Sequence, residues 1–239
     1  MDTTKVHHLD NLSELLQTAI QSVNQVILGK QQQIKLVFTS FIAKGHCLIE
    51  DQPGVGKTTL AHAMAQVLGL DFQRIQFTSD LLPAAVLGVS VFNRDQSQFE
   101  FHPGPIFSPF ILADEINRAT PKTQSALLES MEEYQVTVEG ETRLLPEPFF
   151  VIATQNPTHQ VGTYPLPESQ LDRFLMRIDL GYPDKEAERR LLEGEDRRTI
   201  IKHMPAVFTT EQLLQLQSSL FGYLQQLIHV IHMRDRTLE

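Results

Sequence analysis

Apolar side chains near the start of the chain recur at helical spacing, and later ones gather into short continuous runs. The spacing of leucine, isoleucine and valine predicts two helices within residues 12–42. Each later run has the length of a buried strand, and helical or loop sequence separates it from the next. Buried strands that alternate with helices predict a parallel, doubly wound α/β sheet. The runs cover residues 46–49, 72–77, 110–113, 149–153 and 175–180.

Two further segments show the period of two that is typical of β-hairpins. Residues 88–101 and 134–145 alternate apolar and polar positions around a polar turn. From residue 184 onwards, acidic and basic residues are balanced, which is typical of a solvated helix face and not of a nucleic-acid patch. We therefore predict an α/β domain over residues 1–183 and a helical domain over residues 184–239.

The composition narrows the class of protein. With 239 residues, 41% hydrophobic and 21% charged, the chain can bury a sizeable core and does not have the composition of a disordered protein. The net charge of −9 argues against binding nucleic acid through overall charge. The one cysteine, Cys47, excludes an intrachain disulfide and suits a reducing compartment. Since we find neither a signal-peptide pattern nor a membrane-length apolar run, we expect a soluble, cytoplasmic protein.

A phosphate-binding loop is predicted between the first apolar run and a helix over residues 57–68. Small residues let backbone N–H groups face phosphates, a lysine reaches the β and γ oxygens, and a hydroxyl binds Mg²⁺. Asp51 stands where the usual pattern has its first glycine. The alternative is a chance Gly-Lys-Thr at a helix start. The candidate residues are Pro53, Gly54, Val55, Gly56, Lys57, Thr58 and Thr59.

Two acids follow the apolar run over residues 110–113, and they predict the catalytic end of the site. This placement puts Asp114 near the Mg²⁺ and Glu115 where it can polarise an attacking water. The alternative is an acidic pair that caps the next helix.

Two more polar residues lie beside apolar runs and are candidates on weaker grounds. Asn156 ends the run over residues 149–153, where its amide could orient the water, although Asn-Pro is also common turn chemistry. Arg173 precedes the last run and has the always-charged guanidinium that an arginine finger needs. The alternative for Arg173 is a salt bridge to Asp172 or Glu168.

Taken in order, four motifs resemble the MoxR-type branch of the AAA+ ATPases, over about residues 26–192. The motifs are GVGKTT, FILADEINRA, VIATQNP and LPESQLDRF. The resemblance implies a P-loop NTPase fold with a Walker A lysine at Lys57 and Walker B acids at Asp114 and Glu115. It also implies a first sensor at Asn156 and an arginine finger at Arg173 that acts on a neighbouring subunit.

The resemblance further implies ATP and Mg²⁺ as cofactors and both hairpins as inserts of this branch. Residues 26–29 resemble the family's stretch near the adenine. In a separate stretch, DLLPAAVLG, Ala84 and Ala85 stand where the family has Ser and Asp. The implied function is an ATP-hydrolysing motor or chaperone that remodels or matures a protein client. Its partners would be further copies in a hexameric ring and a protein with a von Willebrand A-type domain.

Two other functions stay open at this point. A DNA-acting motor of the same hairpin clade would need a basic hairpin tip, yet the turns hold Glu139-Gly140-Glu141 and residues 93–96 without concentrated positive charge. A structural module that binds nucleotide without hydrolysis is disfavoured by the Asp114-Glu115 pair but favoured by the short C-terminal region.

The C-terminal helical region resembles only part of the family's lid, and no stretch resembles its second sensor. We therefore expect a partial lid over residues 184–239, slow ATP hydrolysis and a weak or absent ring. An apolar helical face should be left partly exposed there. This face comprises Leu213, Leu216, Leu220, Leu224, Leu227 and Ile228.

Overall fold

The computed structural model describes residues 3–157, 162–183, 185–193 and 196–219. Its helices are α1 (Thr3–Val26), α2 (Gln31–Ile42), α3 (Lys57–Leu68), α4 (Pro83–Leu87), α5 (Pro121–Glu133), α6 (Glu168–Leu171), α7 (Lys185–Glu193) and α8 (Arg197–His203). Its strands are β1 (Cys47–Glu50), β2 (Phe72–Gln76), β3 (Gly88–Asn93), β4 (Gln98–Pro103), β5 (Phe110–Asp114), β6 (Gln135–Val138), β7 (Glu141–Leu144), β8 (Phe150–Gln155) and β9 (Met176–Ile178). Residues 210–219 are also helical.

The five predicted apolar runs form one sheet in the order β2-β5-β8-β1-β9. Every neighbouring pair in it is parallel, so the predicted doubly wound α/β sheet is confirmed. The helix predicted over residues 57–68 is α3, and it ends at Gly69 with a left-handed φ of 66° that a glycine adopts without strain.

Both faces of the sheet are buried, which explains why its strands are continuously apolar. Successive residues of β1 point to opposite faces, so Cys47 and Ile49 join one hydrophobic cluster and Leu48 joins the other. The first cluster includes side chains of α1, α2, α3 and α8, and the second includes side chains of α4 and α5. Helices therefore cover the sheet on both sides, and only its edges and strand ends are left for a ligand.

The two predicted hairpins are confirmed as separate antiparallel pairs, β3 with β4 and β6 with β7. They touch through Arg143, whose guanidinium lies 3.8 Å from the centre of the Phe101 ring. Near the tip of the first hairpin, Phe92 and Phe99 pack against each other and stay about half or more exposed. Ala84 and Ala85 are exposed on α4, and no contact of theirs explains the departure from the family pattern.

The chain after residue 196 packs against the first hydrophobic cluster. The Val207 N–H donates to the Val67 carbonyl at 2.8 Å, and the Gln217 amide donates to the Phe41 carbonyl at 2.8 Å. Of the apolar face predicted here, Leu213 is fully buried and Leu216 is partly buried against this cluster. The residues predicted on the same face at 220, 224, 227 and 228 lie outside the described part of the chain. The domain division at 183/184 stays a prediction.

Within the described residues, no helix combines the length and the apolar character needed to cross a membrane.

His46 is a buried polar group that joins the first strand to two neighbouring elements. Its Nε2 lies 3.1 Å from the Met131 carbonyl, and its Nδ1 accepts the Val151 N–H at 3.1 Å. A carbonyl can only accept and a backbone N–H can only donate, so the ring is the neutral tautomer with its proton on Nε2. Burial lowers the pKa of His46 to about 4, and a second proton would also set Nδ1 against the Val151 donor.

We expect His46 to make folding sensitive to mild acid. Between its ordinary pKa of 6.5 and its folded pKa of about 4, only the unfolded chain takes up the proton, so stability falls as the pH falls. His46→Gln keeps a donor and an acceptor but does not titrate. The unfolding free energy of the parent chain relative to this variant should therefore drop by about 3 kcal/mol between about pH 7 and pH 4. Urea denaturation across that range measures the difference, and a constant difference would contradict this role.

Candidate functional site

Three neighbouring strands of the sheet end beside one cleft. Because β5, β8 and β1 are adjacent and parallel, their carboxyl ends meet at the same edge. A cleft of about 370 Å³ lies there. It is lined by Pro53, Gly54, Gly56, Lys57, Thr58, Thr59, Arg74, Asp114, Glu115 and Asn156. The structure thus brings together most of the residues that the sequence singled out.

The loop between β1 and α3 has the backbone shape of an anion cradle. Gly54 and Gly56 have φ angles of 88° and 93°, which L side chains rarely adopt. A Cβ added at either glycine would meet no atom within 4 Å, because both residues face the open cleft. Helix α3 begins directly behind this loop at Lys57, so its free N–H groups and its dipole favour an anion there. Val55 belongs to the same loop but lines the adjoining recess described below.

Lys57 is held across its own loop by backbone oxygens. Its Nζ donates to the Asp51 carbonyl at 2.5 Å and to the Gln52 carbonyl at 3.3 Å. Burial lowers the pKa of Lys57, and the carboxylates of Asp51, Asp114 and Glu115 oppose that shift. The lysine therefore has acids around it but a neutral carbonyl as its direct partner.

The structure explains why an aspartate can replace the first glycine of the phosphate-loop pattern. Asp51 does not have a positive φ, so its position needs no glycine. Its buried carboxylate accepts the Gln52 N–H at 2.7 Å and the Gly181 N–H at 2.6 Å. Burial alone would raise the pKa of Asp51, but these hydrogen bonds outweigh it and lower the pKa. Asp51 thereby fastens the phosphate loop to the chain that follows β9.

The two acids after β5 share one support that the sequence reasoning missed. The buried Thr154 hydroxyl donates to Asp114 Oδ1 at 2.6 Å and accepts the Glu115 N–H at 2.9 Å. The register could have indicated this residue, since Ala113 pairs with Ala153 and the next residues on both strands must be neighbours. Glu115 has a left-handed φ of 57°, which aims its carboxylate away from the strand direction.

The Glu115 carboxylate is held by two further side chains. Its Oε2 accepts the Gln76 amide at 3.0 Å and the Arg118 guanidinium at 2.9 Å. Gln76 lies on β2 and Arg118 on the short turn after Glu115, so the acid is fixed from both sides. The alternative of a plain helix-capping pair is not what the geometry shows, because neither the short turn at 116–118 nor α5 begins with a bond to either carboxylate.

Arg74 is a second cation in the cleft, and no sequence pattern pointed to it. It extends from β2, and its Nη2 lies 2.6 Å from Asp114 Oδ2. An arginine on a strand is ordinary in sequence, so only the pairing of β2 with β5 reveals its place.

The remaining two predicted residues take different positions. Asn156 lines the cleft at the end of β8, and its carbonyl accepts the Asn117 amide at 3.2 Å. Arg173 does not line the cleft of its own chain and forms an ion pair with Glu132 of α5. The partners considered from sequence, Asp172 and Glu168, are therefore not the ion-pair partner that the structure gives.

A second recess of about 210 Å³ adjoins the cleft and shares Gly54, Gly56 and Thr59 with it. Its apolar wall comes from the end of α1 and the residues that follow. The other lining residues are Val26, Ile27, Leu28, Lys30, Val55, Pro183 and Arg197. One elongated ligand with a polyanionic part and an apolar part fits this pair of spaces.

The donor set suits Mg²⁺ that is shared with a ligand. Mg²⁺ prefers oxygen donors and commonly takes one or two carboxylates together with phosphate oxygens. The Thr58 hydroxyl and the Asp114 carboxylate line the same cleft and are donors of this kind. Within the described residues there is no group of three or more His, Cys, Asp and Glu side chains that could hold a metal alone.

Comparison with known proteins gives the family. A family model described as "ATPase family associated with various cellular activities (AAA)" matches residues 46–176. Chaperone MoxR1 of Mycobacterium tuberculosis is 46% identical over 177 residues, which are 74% of this chain and 47% of that protein. The chain belongs to the MoxR-type AAA+ ATPases. An uncharacterised Bacillus subtilis protein, YeaC, is 50% identical over 208 residues, which are 87% of this chain and 65% of that protein.

A solved structure agrees with this membership of the MoxR-type family. The crystal structure of a candidate ATPase from Cytophaga hutchinsonii matches with a TM-score of 0.77 and 40% identity. The match covers 90% of this chain and 65% of that one. The MoxR-type chain described here thus spans between about half and two thirds of these relatives. The family-model match includes Lys57, the acids after β5, Asn156 and Arg173.

We expect Asp51 to stabilise this MoxR-type fold by fastening the phosphate loop. Asp51→Ala removes the acceptor of the Gln52 N–H and leaves the Gly181 N–H only its longer bond to Asp179 Oδ1 at 3.1 Å, so it should lower the free energy of unfolding by about 1–3 kcal/mol. Asp51→Asn keeps an acceptor oxygen and should lose clearly less. The midpoints of urea denaturation compare the two variants at neutral pH, and equal losses would show that the acceptor role is wrong.

Proposed function

We propose that this chain binds ATP with Mg²⁺ and hydrolyses it to ADP and phosphate. In this proposal it is the motor domain of a MoxR-type chaperone that remodels or matures a protein client. The observation that carries the proposal is the convergence of Lys57, Asp114, Glu115 and Asn156 on one cleft behind a glycine cradle. Family membership supports the same reaction.

The phosphate chain is assigned to the loop over residues 53–59. Backbone N–H groups at the start of α3 face the cleft, and Lys57 can leave its carbonyl partners for the β and γ oxygens. Mg²⁺, when bound, neutralises charge on the phosphate oxygens, and Thr58 and Asp114 are the residues that would hold it. The base and ribose are assigned to the adjoining recess with its apolar wall.

Glu115 is assigned as the residue that polarises the attacking water. Its carboxylate is about one third exposed, so it can reach water in the cleft while Gln76 and Arg118 hold it. Asn156 is assigned to orient the same water from the end of β8. Both roles require a fixed geometry, because a nucleophilic water must lie in line with the bond that breaks.

Arg173 is assigned to a neighbouring subunit's cleft. Its side chain is 36% exposed and lies outside its own cleft, which is the arrangement that a finger acting between subunits needs. This assignment requires that the partial lid suffices for a homo-oligomeric ring, and a hexamer is the size that the family resemblance implies. We propose with it an α/β motor domain over residues 1–183 and a partial helical lid over residues 184–239.

The client is proposed to be a protein, with a von Willebrand A-type domain protein as the cooperating partner. The name of the mycobacterial relative, a chaperone, supports this class of client. The hairpin turns argue against a DNA client. The β6–β7 turn holds Glu139, and the β3–β4 turn holds Asp95 beside Arg94, so neither turn offers a basic track for phosphates.

We expect Lys57 and Glu115 to separate binding from turnover. Lys57→Ala removes the cation of the loop and should abolish ATP binding in calorimetry. Glu115→Gln keeps the size and the hydrogen bonds of the side chain but cannot polarise water, so it should bind ATP and lose hydrolysis by about 100-fold or more.

Phosphate release measured beside calorimetry decides this assignment. Undiminished ATP affinity in Lys57→Ala would overturn the binding site, and parental turnover in Glu115→Gln would remove that residue from the mechanism.

We expect Arg173 to act across a subunit boundary. Arg173→Ala and Glu115→Gln should each be inactive alone, whereas a mixed assembly contains interfaces at which Arg173 meets an intact Glu115 site. Mixing should therefore restore part of the ATPase rate. Glu132→Ala is the matched control, because it breaks the same ion pair but keeps the arginine. Mixtures that co-assemble and stay inactive would contradict the role between subunits.

A further inference from the structure

Arg74 enters the phosphate cleft from β2 and is paired with the acid assigned to the metal. Its Nη2 and Nε lie 2.6 and 3.1 Å from Asp114 Oδ2, and its Nη2 also lies 2.5 Å from Gln76 Oε1. The cross-strand register explains the contact, since Gln76 pairs with Asp114 and Arg74 lies two residues earlier on β2. The Asp114 side chain is only 10% exposed, whereas that of Arg74 is 48% exposed.

Both carboxylate oxygens of Asp114 accept hydrogen bonds in this arrangement. The Thr154 hydroxyl donates to Oδ1 from the buried side, and the Arg74 guanidinium donates to Oδ2 from the side of the cleft. Oδ2 already accepts two hydrogen bonds from the guanidinium on the cleft side, so a hard cation that binds this oxygen from the cleft must displace Arg74. The guanidinium and Mg²⁺ therefore compete for one atom. Thr154 cannot yield instead, because its hydroxyl is buried and also accepts the Glu115 N–H.

Arg74 has a second anionic partner available once it leaves Asp114. The lining of this cleft contains two cationic side chains, Lys57 on the loop and Arg74 on β2. A half-exposed arginine moves at low cost, and its planar fork matches phosphate oxygens in pairs. A polyphosphate bound by the phosphate loop would extend its terminal phosphate toward Arg74 on β2.

We propose that Arg74 is a positioning residue that changes partner, from Asp114 to the terminal phosphate, when the metal and the nucleotide bind. The inference rests on the proposed function of the same cleft. It gives the site a way to distinguish a triphosphate from a diphosphate, because only the longer ligand offers the displaced guanidinium a new anion. A plain stabilising salt bridge would leave nucleotide preference and metal dependence unchanged.

The test compares Arg74→Met with Arg177→Met. Arg177 is a matched control, because it lies on β9 of the same sheet, pairs with Glu50 and is 53% exposed. A fluorescent ATP analogue is titrated with MgCl₂, and the concentration that gives half-maximal binding is recorded. Affinities for ATP and ADP are then measured by calorimetry at saturating Mg²⁺.

Arg74→Met should need about three- to tenfold less Mg²⁺, because nothing competes for Asp114 Oδ2. Its preference for ATP over ADP should fall by a similar factor of about three to ten, because the terminal phosphate loses its arginine. Arg177→Met should keep both parental values. Arg74→Lys keeps the charge without the fork and should lie between Arg74→Met and the parent chain.

Either shift without the other, or equal shifts in the Arg177→Met control, would overturn the exchange of partners. If Arg74→Met fails to fold by circular dichroism, Arg74→Gln replaces it with shifts in the same direction, since an uncharged amide competes with Mg²⁺ and pairs with phosphate far less than a guanidinium does. A folded parent chain that binds no nucleotide overturns the proposed function and this inference together. A parent chain that binds ATP, with an unchanged Mg²⁺ midpoint in the Arg74 variants, overturns this inference alone.

Discussion

The parallel pairing of β5, β8 and β1 is the constraint on which the site depends. Three neighbouring strands that run in one direction must end at one edge, so the residues after each strand meet without any contact in sequence. The same pairing places Thr154 beside the two acids, where one hydroxyl orients both. Because helices cover both faces of this sheet, that edge is where polar side chains can gather with hydrogen-bond partners that offset their burial.

A second constraint joins the phosphate loop to the chain that leaves the sheet. The carboxylate of Asp51 accepts the Gly181 N–H, and the Tyr182 hydroxyl donates to the Gln52 amide oxygen at 3.0 Å. Lys30 then donates to the Tyr182 carbonyl at 2.8 Å, next to the apolar recess. The segment at 181–182 thus contacts the phosphate loop and the connection between α1 and α2. A movement of the phosphate loop on ligand binding would therefore act on residues 181–182, which lie just before the C-terminal helices.

The sequence predicted what depends on local chemistry. Glycines with positive φ, the lysine behind them and acids after an apolar strand are short-range requirements, so Gly54, Gly56 and Lys57 could be assigned in advance. The contacts of Arg74 could not, because they depend on which strand lies next to β5, and periodicity does not give strand order. Asp51 appeared to be a departure from the phosphate-loop pattern because the Gly181 N–H, whose hydrogen bond it accepts, lies 130 residues away in sequence.

Lys57 and Arg74 differ in how easily each can leave its present hydrogen-bond partner. Lys57 rests on a neutral carbonyl, although three carboxylates surround it, whereas Arg74 rests on a carboxylate. An ammonium leaves a carbonyl for a phosphate with a net gain in charge pairing. A guanidinium leaves a nearly buried carboxylate only if another cation replaces it, since an unpaired buried charge is costly. The phosphate loop can therefore bind a polyanion without a metal ion. Arg74 on β2, in contrast, leaves Asp114 only when a metal ion and a phosphate bind together.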